Sequence, residues 1–150
     1  MTHIDKDGRA VMVDVSKKTT MRRTATAEGF FVAQSTTLDA LMQGNLPKGE
    51  GLAVAKIAGI QAAKRCDSLI PLCHTLPLEF ADIAFDRIED ERLKITSTMI
   101  VNGRTGIEME ALTAVSVAAL TLWDMTKAID KNLRIEGIRL VQKIKEELSN

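Results

Sequence analysis

The chain has 150 residues and a formal net charge of zero, with twenty basic side chains balancing twenty acidic ones. Hydrophobic residues make up 45% and charged residues 27%, which excludes a wholly disordered chain and suits one domain with one core, residues 1–150. Without a basic surplus, and with 3% aromatics and no Tyr, a nucleic-acid partner is not expected.

Two cysteines, Cys66 and Cys73, are too few for a disulfide scaffold and point to a reducing compartment. Residues 1–9 are polar, carry no signal-peptide core, and are expected to be mobile or ordered only by a neighbour. The longest charge-free apolar stretch, Ala111–Trp123, is too short to cross a bilayer. A cytoplasmic location is expected.

In chain order, Val11, Val13 and Val15 alternate as in a short strand, and Lys17–Arg23 reads as a basic loop. Thr24–Val32 predicts a strand. Thr36–Gln43 predicts a short helix, capped by Ser35 or Thr36 and stopped by Gly44. After a loop around Pro47 and Gly49, Gly51–Cys66 predicts a long helix, followed by an irregular stretch with two prolines. Leu78–Ile88 and Arg92–Val101 predict a strand pair, with Leu93, Ile95, Ser97, Met99 and Val101 sharing one face. A glycine loop leads to a second long helix over about Glu108–Asp130. A last strand, Leu133–Val141, precedes a Lys/Glu-rich tail that could add a helical turn. The order predicts an α+β fold, a mainly antiparallel sheet with two long helices on one face. Between Glu110 and Asp124 the second helix carries no charge, and Gly51–Gln61 carries only Lys56. One sheet covers one side of a helix, so the other side meets another subunit or another helix. A homo-oligomer with a helical interface is the preferred reading.

Several residues could carry chemistry. His74 lies between two prolines in LIPLCHTLPL, residues 69–78, and a histidine there can move protons near neutral pH or hold an anion. It could equally be a packed loop residue. The spacing of Cys66 and Cys73 matches no common zinc motif, so no metal site is expected and Cys73 reads as a small packing residue. Glu108 and Glu110 share a side if the segment is extended and diverge if it is helical. The preferred reading starts the helix near Glu110 with both carboxylates on a cleft, although Thr105 and Glu108 also have capping-box spacing. Asp124 and Lys127, spaced i, i+3, fall on roughly the same helix face as Glu110, and such a pair is commonly only a solvated ion pair. Lys48 and Arg22–Arg23 are candidate anion ligands. The inventory suits acid/base chemistry on an anionic substrate without a bound cofactor.

The segments MVDVS (12–16), AKIAGIQAAK (55–64), LIPLCH (69–74), GRTGIEMEALTAVSVAAL (103–120) and DMTKAIDK (124–131) carry more than spacing. Together they resemble the cyclic pyranopterin monophosphate synthase family of molybdenum cofactor biosynthesis, in the family's order and over nearly the whole chain. The resemblance implies a ferredoxin-like subunit in a hexamer built as three dimers, with the site between subunits. It implies conversion of 3′,8-cyclo-7,8-dihydro-GTP to cyclic pyranopterin monophosphate with loss of pyrophosphate. It implies that Leu72, Cys73 and His74, and Met109 with Glu110, bind substrate, and that Glu108 assists. Asp124 would be the acid/base residue, with Lys48, Lys127 and His74 also catalytic. Arg23 and Lys143 would face the triphosphate. No cofactor or metal is implied, and a divalent ion travelling with the phosphates is left open. Two positions depart from the family: Thr75 replaces a Pro, and the tail ends in KIKEELSN rather than a Gly/Lys-rich run, so Lys145 could replace a lost phosphate contact. The competing reading is a non-catalytic oligomeric module that binds a nucleotide or pterin. A purely structural oligomer would strand carboxylates and lysines at an interface for no gain.

Overall fold

The structure, a computed structural model, describes residues 3–149. Four strands, β1 (Met21–Val32), β2 (Phe80–Glu89), β3 (Arg92–Gly103) and β4 (Arg134–Glu146), form one fully antiparallel sheet in the order β2-β3-β1-β4. The helices are α1 (Ser35–Gln43), α2 (Gly51–Lys64), α3 (Cys66–Leu69) and α4 (Glu108–Thr126). This is the expected α+β, ferredoxin-like arrangement. No helix among the described residues is long and apolar enough to cross a membrane.

Period-two alternation sets the core. Ala25, Ala27 and Phe31 of β1 and all five predicted inward residues of β3 are buried. They meet Ala111, Ala114, Val115, Ala118 and Leu122 of α4, whose small side chains let the helix settle close to the sheet. Ser97, buried among them, donates its hydroxyl proton to the carbonyl of Ala111 at 2.7 Å. α2 packs along α4, so part of the charge-free helical surface is covered within the chain. At Gly59 the packing is close: a Cβ there would lie 2.1 Å from Ile83 Cδ1 and 2.8 Å from the Ala114 carbonyl oxygen. Ile57, Leu120 and Trp123 remain exposed on this layer.

Several boundaries differ from the sequence expectation. Residues 21–23 of the predicted basic loop belong to β1, where they pair with β3 and β4. Residues 11–15 alternate but join no sheet; the Val13 carbonyl is instead bonded to His74. The charged tail extends β4 to Glu146 instead of turning helical, held by its ladder with β1. The first long helix breaks at Arg65, and Ile70 is extended because Pro71 follows. Residues 3–11 close into a turn, with Ile4 bridging Ala10 and Asp5 Oδ1 accepting from the backbone of Asp7 and Arg9. Met1, Thr2 and Asn150 lie outside the described residues.

The α1 cap also differs. Neither Ser35 nor Thr36 caps the helix; Gln34 is the N-cap residue and makes no side-chain cap of its own. Asp130, beyond the end of α4, does the work through space. Its Oδ2 accepts from the Gln34 backbone N–H at 2.8 Å and from the Thr37 hydroxyl at 2.9 Å, and its Oδ1 accepts from Asn132 N–H at 2.8 Å. Burial pushes this carboxyl's pKa up, but the hydrogen bonds outweigh it and hold the group below the ordinary carboxylate value. The other end closes as expected, on Gly44 at φ 72°.

Candidate active site

The predicted residues fall into two groups at opposite ends of α4. At its N-terminal end, a cleft of about 320 Å³ is lined by Leu72, Cys73, His74, Glu108, Met109 and Glu110. The proline-flanked loop supplies the first three and the first turn of α4 the others. His74 Nε2 lies 2.7 Å from the carbonyl oxygen of Val13, so Nε2 carries the proton and donates it. That bond fastens the 11–15 segment over the cleft, where Val13 and Val15 line the wall. The Thr75 hydroxyl donates to Asp67 Oδ2 at 2.7 Å, which ties the loop after His74 to α3. His3 and Lys18 also line the cleft and were not singled out from the sequence. Only the basic character of the 17–23 stretch hinted at Lys18, and nothing hinted at His3.

α4 starts at Glu108 rather than near Glu110, so the two carboxylates diverge as helical residues two apart must. Both still reach the cleft. The capping box with Thr105 is absent: the N-cap position is Ile107, without a side-chain cap. Glu108 instead folds back over Gly106, where a Cβ would lie 1.9 Å from its carboxylate, and its Oε1 accepts an ion pair from Lys143 Nζ at 3.2 Å. Glu110 is buried, 3% exposed. Burial first, then the like charges of Glu108 and Asp67, push its pKa up to about 7. Burial likewise pushes the Cys66 thiol up to about 12 and raises that of Cys73.

Glu108 also borders a second cavity of about 180 Å³, with Arg23, Lys143 and Lys145 on its walls. Arg23 donates from Nε to Gly103 O at 3.0 Å and from Nη2 to Arg104 O at 3.1 Å, so the glycine loop orients the guanidinium. Lys145 stands opposite Arg23 in the β1–β4 ladder. Three cations thus border one small cavity, with Lys143 paired to Glu108.

The other group sits at the far end of α4, around Asp124 in its last turn and Lys127 at its C-cap. Asp124 accepts from Lys127 Nζ at 2.7 Å through Oδ1 and from Lys48 Nζ at 3.0 Å through Oδ2, and Lys48 also donates to the Asp124 carbonyl at 2.9 Å. Hydrogen bonds from Lys127 and then Lys48 hold the Asp124 carboxyl below its ordinary pKa, so it is ionised at neutral pH. All three side chains are exposed, and Lys127 borders a hollow of about 350 Å³ with Trp123 and Lys131. Helical arithmetic puts Glu110 and Asp124 on similar faces, yet one is buried beside the proline-flanked loop and the other opens to solvent.

Taken together, an α+β domain carries a cleft with a buried carboxylate and a histidine, a cavity walled by three cations, and a Lys–Asp–Lys cluster, a set of groups of the kind acid/base enzymes use. The MoaC family model matches residues 12–146, and the chain belongs to that family. It is 51% identical to the cyclic pyranopterin monophosphate synthase of Chloroflexus aggregans over 95% of this chain and 87% of that protein. It is 52% identical to the protein of the same name from Novosphingobium aromaticivorans, over 95% and 90%. The protein of that name from Desulfitobacterium hafniense is 50% identical, over 95% and 88%.

Proposed function

We propose that this chain converts 3′,8-cyclo-7,8-dihydro-GTP to cyclic pyranopterin monophosphate and pyrophosphate, as a phosphorus–oxygen lyase of molybdenum cofactor biosynthesis in the cytoplasm. The observation that carries this reading is the family match over residues 12–146, together with about half identity to proteins named as that synthase.

The geometry supports a division of labour. The cleft of Leu72, Cys73, His74, Met109 and Glu110 receives the purine that is opened and rebuilt. Glu110, poised near neutrality, and the free Nδ1 of His74 can take and return protons. Arg23, Lys143 and Lys145 hold the triphosphate, with Glu108 setting Lys143. Closure of the cyclic phosphate forms a new P–O bond at the α-phosphorus as the bond to pyrophosphate breaks. Negative charge then grows on the leaving group, and cations offset it. Asp124, ionised, acts as the base, and Lys48 and Lys127 act as proton donors beside it. No resident cofactor enters these steps.

The two groups lie about 21 Å apart along α4, too far to serve one substrate within one chain. A two-fold contact between copies, repeated into a hexamer of three dimers, unites the His74 end of one chain with the Asp124 end of another. Exposed Ile57, Leu120 and Trp123 suit that contact. The test is incubation with the cyclised GTP substrate while pyrophosphate and the fluorescent oxidised pterin are followed. Asp124→Asn and Lys127→Ala should each abolish pyrophosphate release and leave the assembly intact. Full turnover by both variants refutes the roles given. Substrate binding without turnover by the unaltered chain would make it a binding module.

A further inference from the structure

Behind the cleft, Cys66, which the proposed reaction does not use, stands against two residues of the proposed site, Cys73 and Glu110. Cys66 begins α3, directly after the helix break at Arg65, and is 1% exposed. Its sulfur lies 3.9 Å from that of Cys73, and one carboxylate oxygen of Glu110 completes a triad whose ligand atoms all lie within 4.8 Å of one another. Thr113 Oγ1, 3.5 Å from the Cys66 sulfur, fixes that side chain from α4. Three segments distant in sequence therefore converge, which the spacing of the two cysteines alone does not reveal.

The sulfur separation discriminates between two uses of a thiol pair. A disulfide needs the sulfurs to close to about 2.05 Å. Two thiolates on one tetrahedral zinc, at bond lengths of about 2.3 Å, stand roughly 3.8 Å apart. The observed distance matches the metal geometry without movement. The charged side chains that act most on Glu110, Glu108 and Asp67, are both acidic. Cys73 and Glu110 line the cleft and Cys66 does not, so a fourth coordination position faces the cleft.

We propose that Cys66, Cys73 and Glu110 form a site for a soft divalent cation of the zinc type, three protein ligands with one position open to the cleft. Two sulfurs and one carboxylate select Zn²⁺ over Mg²⁺ or Ca²⁺, which take oxygen ligands. Binding replaces the two thiol protons and engages Glu110, so an occupied site withdraws that carboxylate from the cleft. The metal is thus an inhibitor of the proposed reaction rather than a participant.

The test begins with full-length protein stripped by a chelator and kept reduced with a phosphine. Co²⁺ is titrated in and the thiolate-to-cobalt charge-transfer and tetrahedral d–d bands are recorded, followed by displacement with Zn²⁺. One equivalent per chain is expected, with Cys66→Ser weakening binding roughly tenfold or more while circular dichroism shows an unchanged fold. Glu110→Gln should keep the sulfur bands and weaken binding. Absent bands in the folded wild-type chain, or equal binding by Cys66→Ser, overturns the site. So does a Cys66–Cys73 disulfide by mass spectrometry in reductant-free protein that takes up no cobalt after reduction. In the activity arm, Zn²⁺ should inhibit pyrophosphate release by the wild type but not by Cys66→Ser. The optical readout needs no turnover, so its failure is distinct from failure of the proposed reaction.

Discussion

Glu110 and Asp124 stand fourteen residues apart on α4, about 21 Å along its axis, one sealed beside the cleft and the other open to solvent. If copies of the chain complete each other's sites, two different defects are curable by mixing. His74→Ala and Lys127→Ala should each be inactive alone. Co-expressed at equal levels, two-fold pairs of the two should recover roughly a quarter of wild-type pyrophosphate release, because half the pairs are mixed and each mixed pair keeps one intact site of two. Persistently inactive mixed assemblies would place both ends of α4 in separate chemistry.

Glu110 makes stability depend on pH in a defined direction. Its folded pKa is about 7, against 4.5 for the free group. The folded state therefore holds this proton more tightly than the unfolded chain. Its contribution is full below about pH 4.5, declines as pH rises, and levels off above about pH 7, a change of at most about 3 kcal/mol. Urea unfolding at pH 5 and pH 8 should show this loss in the wild type and a smaller one in Glu110→Gln. Parallel behaviour of the two proteins would mean that Glu110 titrates normally.

Asp130 works in the opposite sense. Its folded pKa lies below the ordinary 3.8, so its stabilisation is present above that value and disappears as pH falls through the folded one. Asp130→Ala leaves the Gln34 N–H and the Thr37 hydroxyl without their acceptor and should cost about 2 kcal/mol at neutral pH. The gap between variant and wild type should narrow below pH 4, as read from denaturant midpoints. A constant gap would point to lost packing rather than lost charge.

Gly59→Ala sets two effects against each other. Helix propensity favours alanine by about 1 kcal/mol. A Cβ at this position meets Ile83 and the Ala114 carbonyl, and overpacking of this kind costs about 1–3 kcal/mol. The backbone carbonyl cannot rotate away, so a net loss near 1 kcal/mol is expected in thermal unfolding. A gain in melting temperature would show that α2 can slide on α4.

Legibility followed the source of the folding energy. β3 was readable because burial on one face imposes alternation, and Leu93, Ile95, Ser97, Met99 and Val101 all point inward. Residues 11–15 alternate too, but alternation does not say whether a segment pairs with a sheet or packs against a loop. The end of β4 was hidden for the converse reason: Gln142–Glu146 is exposed, so its ladder with β1 imposes no apolar pattern. The sequence singled out the segments that bring His74 and Glu110 to one cleft, whereas the Cys66–Cys73–Glu110 cluster required the fold to bring α3 against α4. Asp130 as a cap for α1 was invisible because its partners lie 93 and 96 residues away.

The bond from His74 to Val13 restricts what this imidazole can do. A ring moored through Nε2 cannot turn over without releasing the strap above the cleft. In the proposed reaction only Nδ1 would be left to pass a hydrogen ion, so the imidazole would serve one guest within one chamber rather than act as a conduit from the solvent.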